Sequence, residues 1–217
     1  MTSTVLFAVT SVGRDVFSAM TRIAVASLRI SNPGLRLVVA CDPDSDAAMK
    51  RARDPLITEV DEWVVIPTPA GVPSFRNRFV RIRLRSVVSG PFLFLDSDLL
   101  VRGDLGGLFQ VDADIAAAAN HSRATRAEQV WSKDAEILEA MQWVTDPGVY
   151  LNAGVMFIND TPKARECCEE WQQRWLRSAA VSPPQWDQPA LNSAIHATQP
   201  RVSVLPARFN AQFRNNI

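Results

Sequence analysis

Two aspartates separated by one residue, Asp96 and Asp98, follow the apolar segment "PFLFL" at residues 91–95. Side chains two positions apart on an extended chain point the same way. Neighbouring carboxylates repel each other, so such a pair requires a cation, a proton or an arginine close by. The spacing therefore indicates a charged functional site at the end of a buried strand.

Three interpretations of this pair remain open from the residues alone. An aspartate after a strand often accepts backbone N–H groups in a turn or helix cap, although one aspartate would suffice for that. A phosphohydrolase of the haloacid dehalogenase type also ends a strand in Asp-x-Asp, but on its first strand, with a threonine and a lysine that "DSDLLVRGD" and the sparse lysines do not match. A hard divalent cation, held by carboxylates and the phosphates of a nucleotide, accounts for both position and residue type.

The residues before the pair predict alternating strands and helices. Apolar runs predict strands at residues 4–10, 35–42 and 60–67, and helical spacing predicts helices at 17–30 and 45–53. This alternation is typical of a parallel sheet with both faces covered. In such sheets ligands bind at the carboxyl ends of the strands, which is where the aspartate pair is expected.

A helix rich in arginine precedes the aspartate strand. The segment "SFRNRFVRIRLRSVV", residues 74–88, contains five arginines, of which Arg78, Arg81 and Arg85 share one stripe. Most of the five are expected to extend their charged ends into water. The stripe is expected to point toward an anion near the aspartate pair.

The second half of the chain predicts fewer regular elements. Strands are expected at 113–120 and at 148–160, the latter with a kink at its small residues. A helix over 163–176 is expected to bury Ala164, Cys168, Trp171 and Trp175, and "WDQPALNSAIHA" begins another helix. Residues 123–143 are polar, with scattered tryptophans and no clear helical period.

Composition narrows the class of protein. The 23 basic and 23 acidic residues of the 217-residue chain cancel, which argues against a nucleic-acid partner. Three cysteines, two of them adjacent, suggest neither a disulfide framework nor a zinc site. No apolar run reaches the length of a membrane span, and the first residues do not resemble a signal peptide. A soluble, cytoplasmic protein with a single domain is expected.

Three segments together resemble glycosyltransferases of the GT-A fold, most of all family 8 and neighbouring nucleotide-diphospho-sugar transferases. "FLFLDSDLLVRGDLGGLF" is similar to the family's Asp-x-Asp strand and following turn, "YLNAGVMFIN" to its Asn-Ala-Gly segment, and "WDQPALN" to its Asp-Gln segment. The resemblance implies a Rossmann-like α/β fold with a mostly parallel central sheet flanked by helices. Residues 1–100 would form the nucleotide-binding half and 101–217 the sugar and acceptor half of one domain.

The resemblance assigns the nucleotide diphosphate to the first half. Asp96 and Asp98 would hold Mn²⁺ or Mg²⁺ and, through it, the diphosphate, while Arg81 would contact the donor's phosphate or sugar. The other expected donor contacts in this half are Ala8, Val9 and Thr10 around the base, Asp42 near the ribose, and Ser97 between the metal ligands.

The resemblance assigns the sugar to the second half. Asn152, Ala153 and Gly154 would line the sugar site. Asp187 would bind sugar hydroxyls, and Gln188 would lie near the anomeric carbon, opposite the leaving group. The implied activity is metal-dependent hexosyl transfer with retention, from a donor such as a UDP-sugar to a glycan or other hydroxyl acceptor. Trp186, next to these residues, is expected to border the cleft between donor and acceptor.

Two departures from the family pattern leave further alternatives open. The family's late "His…Gly…Lys-Pro-Trp" segment, which supplies a third metal ligand, is absent from the printed sequence, and neither His121 nor His196 matches it. Thr10 and Val12 stand where the family often has an acidic and an aromatic residue, so the nucleotide is not specified. A sugar-nucleotide-binding protein without turnover is therefore an alternative, whereas "TSVGRD" is a poor match for the phosphate loop of a nucleotidyltransferase.

Overall fold

The computed structural model describes residues 3–121, 125–181 and 186–212. The chain divides into two compact units, one up to Val111 and one from Asp112 onward. Both contain helices and strands, so the predicted α/β class is confirmed. None of the helices in the described residues is long and apolar enough to cross a membrane.

Parallel strands form the core of the first unit, in the order β3-β2-β1-β4. Their bounds are β1 Thr4–Val9, β2 Arg36–Cys41, β3 Glu62–Val65 and β4 Phe92–Leu95. Strand β1 pairs in parallel with both β2 and β4. Strands β1 and β4 are buried throughout, which explains why they are continuous apolar runs rather than alternating ones. The predicted strands are confirmed, although β3 is shorter than expected.

Two of the four α-helices of the first unit begin at a side-chain cap. The four helices are α1 Val16–Ser31, α2 Pro43–Ala52, α3 Leu56–Glu59 and α4 Pro73–Val87. Asp15 and Ser18 form a capping box at the start of α1. Asp42 caps α2, and Pro43 occupies its first turn. Helix α3 was not predicted because four residues are too few to show a period.

Three described strands form the sheet portion of the second unit, in the order β6-β5-β7. They are β5 Ile115–Ala119, β6 Leu151–Ile158 and β7 Val202–Leu205. Strand β5 is antiparallel to β6 and parallel to β7. Among the strand pairs described for the two units, β5–β6 is antiparallel and the other four are parallel, so the predicted mostly parallel arrangement is confirmed.

The second unit also contains four α-helices, which are α5 Arg126–Gln129, α6 Ser132–Ala140, α7 Pro162–Val181 and α8 Gln188–Thr198. Short 3-10 helices lie at Gly106–Gln110 in the first unit and at Ala207–Phe209 in the second. Helix α7 buries Trp171 and Trp175 together with Ala164 and Cys168, as predicted. Full burial of a large apolar side chain stabilises the fold by about 2–3 kcal/mol. Helices α5 and α6 lie within residues 123–143, where the sequence had no clear period, and residues 123 and 124 of that stretch fall outside the described residues.

Candidate active site

Three polar residues follow three parallel strands of the first unit. Thr10 comes directly after β1, Asp42 after β2 and Asp96 after β4. Because β1 is parallel to both neighbours, the carboxyl ends of these strands lie at one edge of the sheet. This edge is where open α/β sheets bind ligands.

The pair of aspartates after β4 has an arginine beside it. Arg81 Nη1 lies 3.5 Å from Asp96 Oδ1, and its side chain is 11% exposed against 38% for Asp96. The guanidinium also lies over the ring of Phe94, with Cζ 4.7 Å from its centroid. Ser97 is half-buried in the turn, and Asp98 is exposed. The arginine therefore offsets part of the repulsion between the carboxylates while leaving both accessible.

One face of α4 contacts the carboxyl edge of the sheet. Arg76 bonds Asp42, Asn77 Nδ2 donates to the Ala8 carbonyl at 3.4 Å, and Arg81 approaches Asp96. Arg85 instead contacts Gly90 and Phe92 at the start of β4, which corrects the prediction that it accompanies Arg81 toward the aspartate pair.

The arginines of α4 also correct the expectation that most of the five extend into water. Arg76 and Arg85 are both buried. Arg85 donates to the Gly90 carbonyl at 2.7 Å, and its Cζ lies 4.8 Å from the Phe92 ring centroid. These side chains hold the helix to the sheet, because each guanidinium finds acceptors that the sequence pattern does not show.

Asp42 is fully buried and its carboxylate is engaged by the protein. Oδ1 accepts hydrogen bonds from the N–H groups of Asp44 and Ser45 and from Arg76 Nη1 at 2.9 Å. Arg76 also pairs with the exposed carboxylate of Asp44. A ribose hydroxyl would have to compete with these donors, so the observed role of Asp42 is to cap α2 and bind Arg76.

The residues expected around the nucleoside base lie at the end of β1. Ala8, Val9 and Thr10 are all buried. The Thr10 hydroxyl has no hydrogen-bond partner among the described residues. A buried hydroxyl without a hydrogen bond costs free energy, so the Thr10 hydroxyl is available to bind a polar ligand at this edge of the sheet. Val12, two residues on, is 72% exposed.

In the second unit, the Asn-Ala-Gly segment lies at an irregularity of β6. Pairing with β5 passes from Ala117–Met156 to Ala119–Leu151, so more residues of β6 than of β5 lie between these pairs. Asn152 Oδ1 accepts from the Gly154 N–H at 2.8 Å, which stabilises the irregularity. Such bulges redirect side chains and are common next to active sites. The predicted kink is therefore confirmed at these small residues.

Asn152 belongs to a network of side-chain amides. Its Nδ2 donates to Asn120 Oδ1 at 3.0 Å, and its Oδ1 also accepts from Asn210 Nδ2 at 2.8 Å. The next residue, Ala153, donates its N–H to Gln188 Oε1 at 3.3 Å. The structure thus brings the predicted sugar-site residues Asn152, Ala153 and Gln188 together.

Asp187 and Gln188 lie at the start of α8. Asp187 is the residue before the helix and is buried, and its carbonyl accepts from Trp171 Nε1 at 3.0 Å. Gln188 is half-buried. Both residues therefore lie at the N-terminus of α8.

Asp134, on α6, is a member of this network that the sequence did not reveal. Its Oδ2 accepts from Tyr150 Oη at 3.1 Å and from Gln188 Nε2 at 3.4 Å. The side chain is buried, whereas Lys133 and Glu136 on the same helix are exposed. A buried acid in the first turn of a helix without a clear period gives no pattern that distinguishes it from a surface aspartate.

Aromatic side chains flank this network. Trp131 is 45% exposed, and its Nε1 donates to His121 Nε2 at 2.6 Å, with the two rings stacked 5.3 Å apart. Trp186 meets Trp131 edge-to-face at 6.2 Å between ring centroids. His121 directly follows Asn120, and Trp186 directly precedes Asp187. These aromatic side chains are therefore chain neighbours of residues in or next to the amide network.

Residues 79–216 of the chain match the sequence model of a family described as glycosyl transferase family 8. The chain belongs to glycosyl transferase family 8. The match includes the Asp-x-Asp, Asn-Ala-Gly and Asp-Gln segments, so the resemblance recognised in the sequence is confirmed. No curated protein sequence matches this family 8 chain.

Solved structures of glycosyltransferases share the fold of this family 8 member. The galactosyltransferase LgtC with donor and acceptor sugar analogues has a TM-score of 0.65 and 21% identity, over 94% of this chain and 74% of that chain. An active-site mutant of LgtC, in which glutamate replaces a glutamine, has a TM-score of 0.64 and 19% identity, over 98% and 80%. The apo form of GlyE from Streptococcus pneumoniae TIGR4 has a TM-score of 0.59 and 22% identity, over 97% and 46%. These likenesses agree with the predicted GT-A fold.

The expected metal ligands Asp96 and Asp98 and both histidines lie among the described residues. In these ranges no group of three or more His, Cys, Asp or Glu side chains is placed to hold an ion. His121 stacks on Trp131, and His196 lies in the last turn of α8.

Proposed function

We propose that this family 8 glycosyltransferase transfers a hexose from a nucleotide-diphosphate sugar to a hydroxyl of a glycan or other acceptor. A UDP-sugar is the donor that we propose first. We further propose that the transfer depends on Mn²⁺ or Mg²⁺ and retains the anomeric configuration. The observation that supports this function best is the position of Asp96 and Asp98 directly after β4, at the edge where β1 and β2 also end. The donor and acceptor analogues bound to LgtC support the substrate class.

The residues after β4 fit a hard divalent cation. Asp96 and Asp98 offer carboxylate oxygens, the ligands that Mn²⁺ and Mg²⁺ prefer, and both are accessible to solvent. We propose these two carboxylates as the protein's ligands, with the donor's phosphates as further ones. When bound, the ion neutralises negative charge that develops on the departing diphosphate.

Arg81 is proposed to contact the donor's phosphate. Its guanidinium lies 3.5 Å from Asp96 and binds carboxylate and phosphate oxygens by the same geometry. Arg81 can therefore stabilise the aspartate pair in the absence of the donor and the diphosphate in its presence. Thr10, with its unused hydroxyl, is proposed to bind the nucleoside.

The second unit is proposed to bind the sugar. Asp187 would accept hydrogen bonds from sugar hydroxyls, and the Gln188 amide would lie near the anomeric carbon. A neutral amide is a poor nucleophile, so its role would be to orient the sugar and stabilise positive charge at that carbon. The acceptor would then attack from the face that the diphosphate leaves. The substituted glutamine of the LgtC active-site mutant supports a glutamine as an active-site residue.

Calorimetric titration of the protein with UDP, with and without Mn²⁺, tests the nucleotide and metal together. We expect Mn²⁺ to raise the affinity at least about tenfold, because the ion adds a charged contact to the diphosphate. Release of UDP from a panel of UDP-sugars in the presence of Mn²⁺ then tests the reaction. Equal affinity in both titrations would contradict the metal site. Metal-dependent binding without UDP release would favour the sugar-nucleotide-binding alternative.

A further inference from the structure

The carboxylate of Asp134 is buried where a protein would ordinarily place a neutral group. The residue is 2% exposed and lies in the first turn of α6. A single oxygen, Oδ2, accepts both the Tyr150 hydroxyl at 3.1 Å and the Gln188 amide at 3.4 Å. Asp134 therefore links α6, the residue preceding β6 and the start of α8.

Two hydrogen bonds define which way the Gln188 amide faces. Nε2 donates to Asp134, and Oε1 accepts from the Ala153 N–H. An ionised carboxylate can only accept hydrogen bonds, so it selects the orientation with Nε2 toward Asp134. A protonated carboxyl group or an asparagine can also donate, which allows the amide to flip.

We propose that Asp134 is a positioning residue of the transfer reaction, whose ionised carboxylate fixes the orientation of the Gln188 amide. This proposal rests on the role of Gln188 in the proposed function. Asp134 itself contacts no substrate in this scheme. It determines which atom of the amide, oxygen or nitrogen, remains on the side of Ala153 and the sugar-site segment.

The groups around Asp134 give the carboxylate a titration in the neutral range. The pKa of Asp134 is raised to about 6, with burial as the largest cause. The negative charge of Asp187 also raises the pKa, whereas the hydrogen bonds from Tyr150 and Gln188 lower it. The other acids of α6, Glu136 and Glu139, are exposed. The orientation should therefore be fixed above about pH 6 and lost below it.

If Asp134 served only to stabilise the fold, its replacement would lower the melting temperature. Because the folded-state pKa is raised, the ionised form of Asp134 is less favourable in the folded protein than in the unfolded chain. Asp134→Asn should therefore keep or raise the melting temperature at pH 7.5. A substitution that leaves stability intact and lowers activity indicates a residue kept for function.

Nuclear magnetic resonance of the side-chain amides tests the coupling directly. The Gln188 amide signals, assigned by their loss in Gln188→Ala, should shift with a midpoint near pH 6 between pH 5 and 8. The shift should disappear in Asp134→Asn and persist in Glu136→Gln, which removes an exposed charge from the same helix. Tyr150→Phe should raise the midpoint, because the hydrogen bond that lowers the pKa is removed.

Steady-state kinetics test the consequence for the reaction. Asp134→Asn should lower kcat about tenfold at pH 7.5, as expected for loss of a charge-assisted hydrogen bond, with donor KM within about twofold. The acidic limb of the kcat profile near pH 6 should also disappear. Gln188 signals that do not titrate, or an unchanged pH profile in Asp134→Asn, would overturn the proposal. Titrating signals in a protein that turns over no UDP-sugar would uphold the Asp134–Gln188 coupling and count against the proposed transfer reaction instead.

Discussion

The aspartate pair in the first unit and the amide network in the second present their polar atoms in different ways. Asp98 is exposed and Asp96 is 38% exposed at the side chain, beside Arg81. Asp134 is buried, and its hydrogen-bond partners Tyr150 and Gln188 belong to the same protein. Exposed charges can exchange their partner for an ion or phosphate from solution. A buried network instead fixes one arrangement before any ligand arrives.

A second contrast exists within the first unit. Asp42 and Asp96 both follow a buried parallel strand, but Asp42 is fully buried and bonded to Arg76. Position at the end of a strand is therefore the same for both aspartates. The accessible carboxylate of Asp96 is what makes it the one proposed to bind a ligand.

The largest effect is expected from removing the exposed charges of the aspartate pair. The double substitution Asp96→Asn and Asp98→Asn should lower UDP-sugar turnover by about a thousandfold, since the metal's contribution of several kcal/mol is lost. UDP binding should no longer respond to Mn²⁺ in calorimetry. The control, Asp112→Asn, removes an exposed acid of the second unit and should behave as the unsubstituted protein. Turnover within tenfold of normal in the double variant would exclude the pair as the metal site.

An effect of similar size, on stability rather than on activity, is expected from the buried ion pair. Arg76→Met leaves the Asp42 carboxylate buried without its cation and should lower the free energy of unfolding by about 3–5 kcal/mol. Urea unfolding measures this change. Arg78→Met, on the same helix, replaces a half-buried arginine and should cost under about 1 kcal/mol. Similar losses of stability in the two variants would show that the Arg76–Asp42 pair stabilises the fold no more than another arginine of α4 does.

Truncation of the amide should separate catalysis from binding. Gln188→Ala should lower kcat about a hundredfold, as expected for a group that stabilises charge in the transition state, and change donor affinity little. Asp187→Ala should weaken both turnover and donor binding. Kinetics with a UDP-sugar and calorimetry with UDP measure the two quantities. Gln173→Ala, an exposed glutamine of α7, is the control, and near-normal kcat in Gln188→Ala would place that residue outside the reacting centre.

The smallest effect distinguishes a buried functional charge from a stabilising one. The pKa of Asp134 is raised from 3.8 to about 6 by burial, so its contribution to stability is present below pH 4 and lost as pH rises to about 6. Asp134→Asn should therefore exceed the unsubstituted protein by roughly 2–3 kcal/mol at pH 7.5 and approach it near pH 4. Urea unfolding between pH 4 and 8 measures the difference. A variant less stable at pH 7.5 would show that the ionised carboxylate stabilises the fold.

The sequence by itself determined the strands and the aspartate pair. Strands β1, β2 and β4 are buried on both faces, so they appear as uninterrupted apolar runs, and the pair follows one of them directly. The order of alternating strands and helices was enough to predict a parallel sheet and the edge at which ligands bind. These features are local, since each depends on neighbours in the chain.

Only the tertiary structure decided which polar residues meet. Gln188 and Asp134 are 54 residues apart, and Arg76 and Asp42 are 34 apart. Helical and strand periods describe how a segment faces its own surroundings, but not which distant side chain supplies a hydrogen bond. Burial also depends on the packing of other segments, which is why Asp134 and Asp42 are enclosed while Asp98, of the same residue type, is exposed.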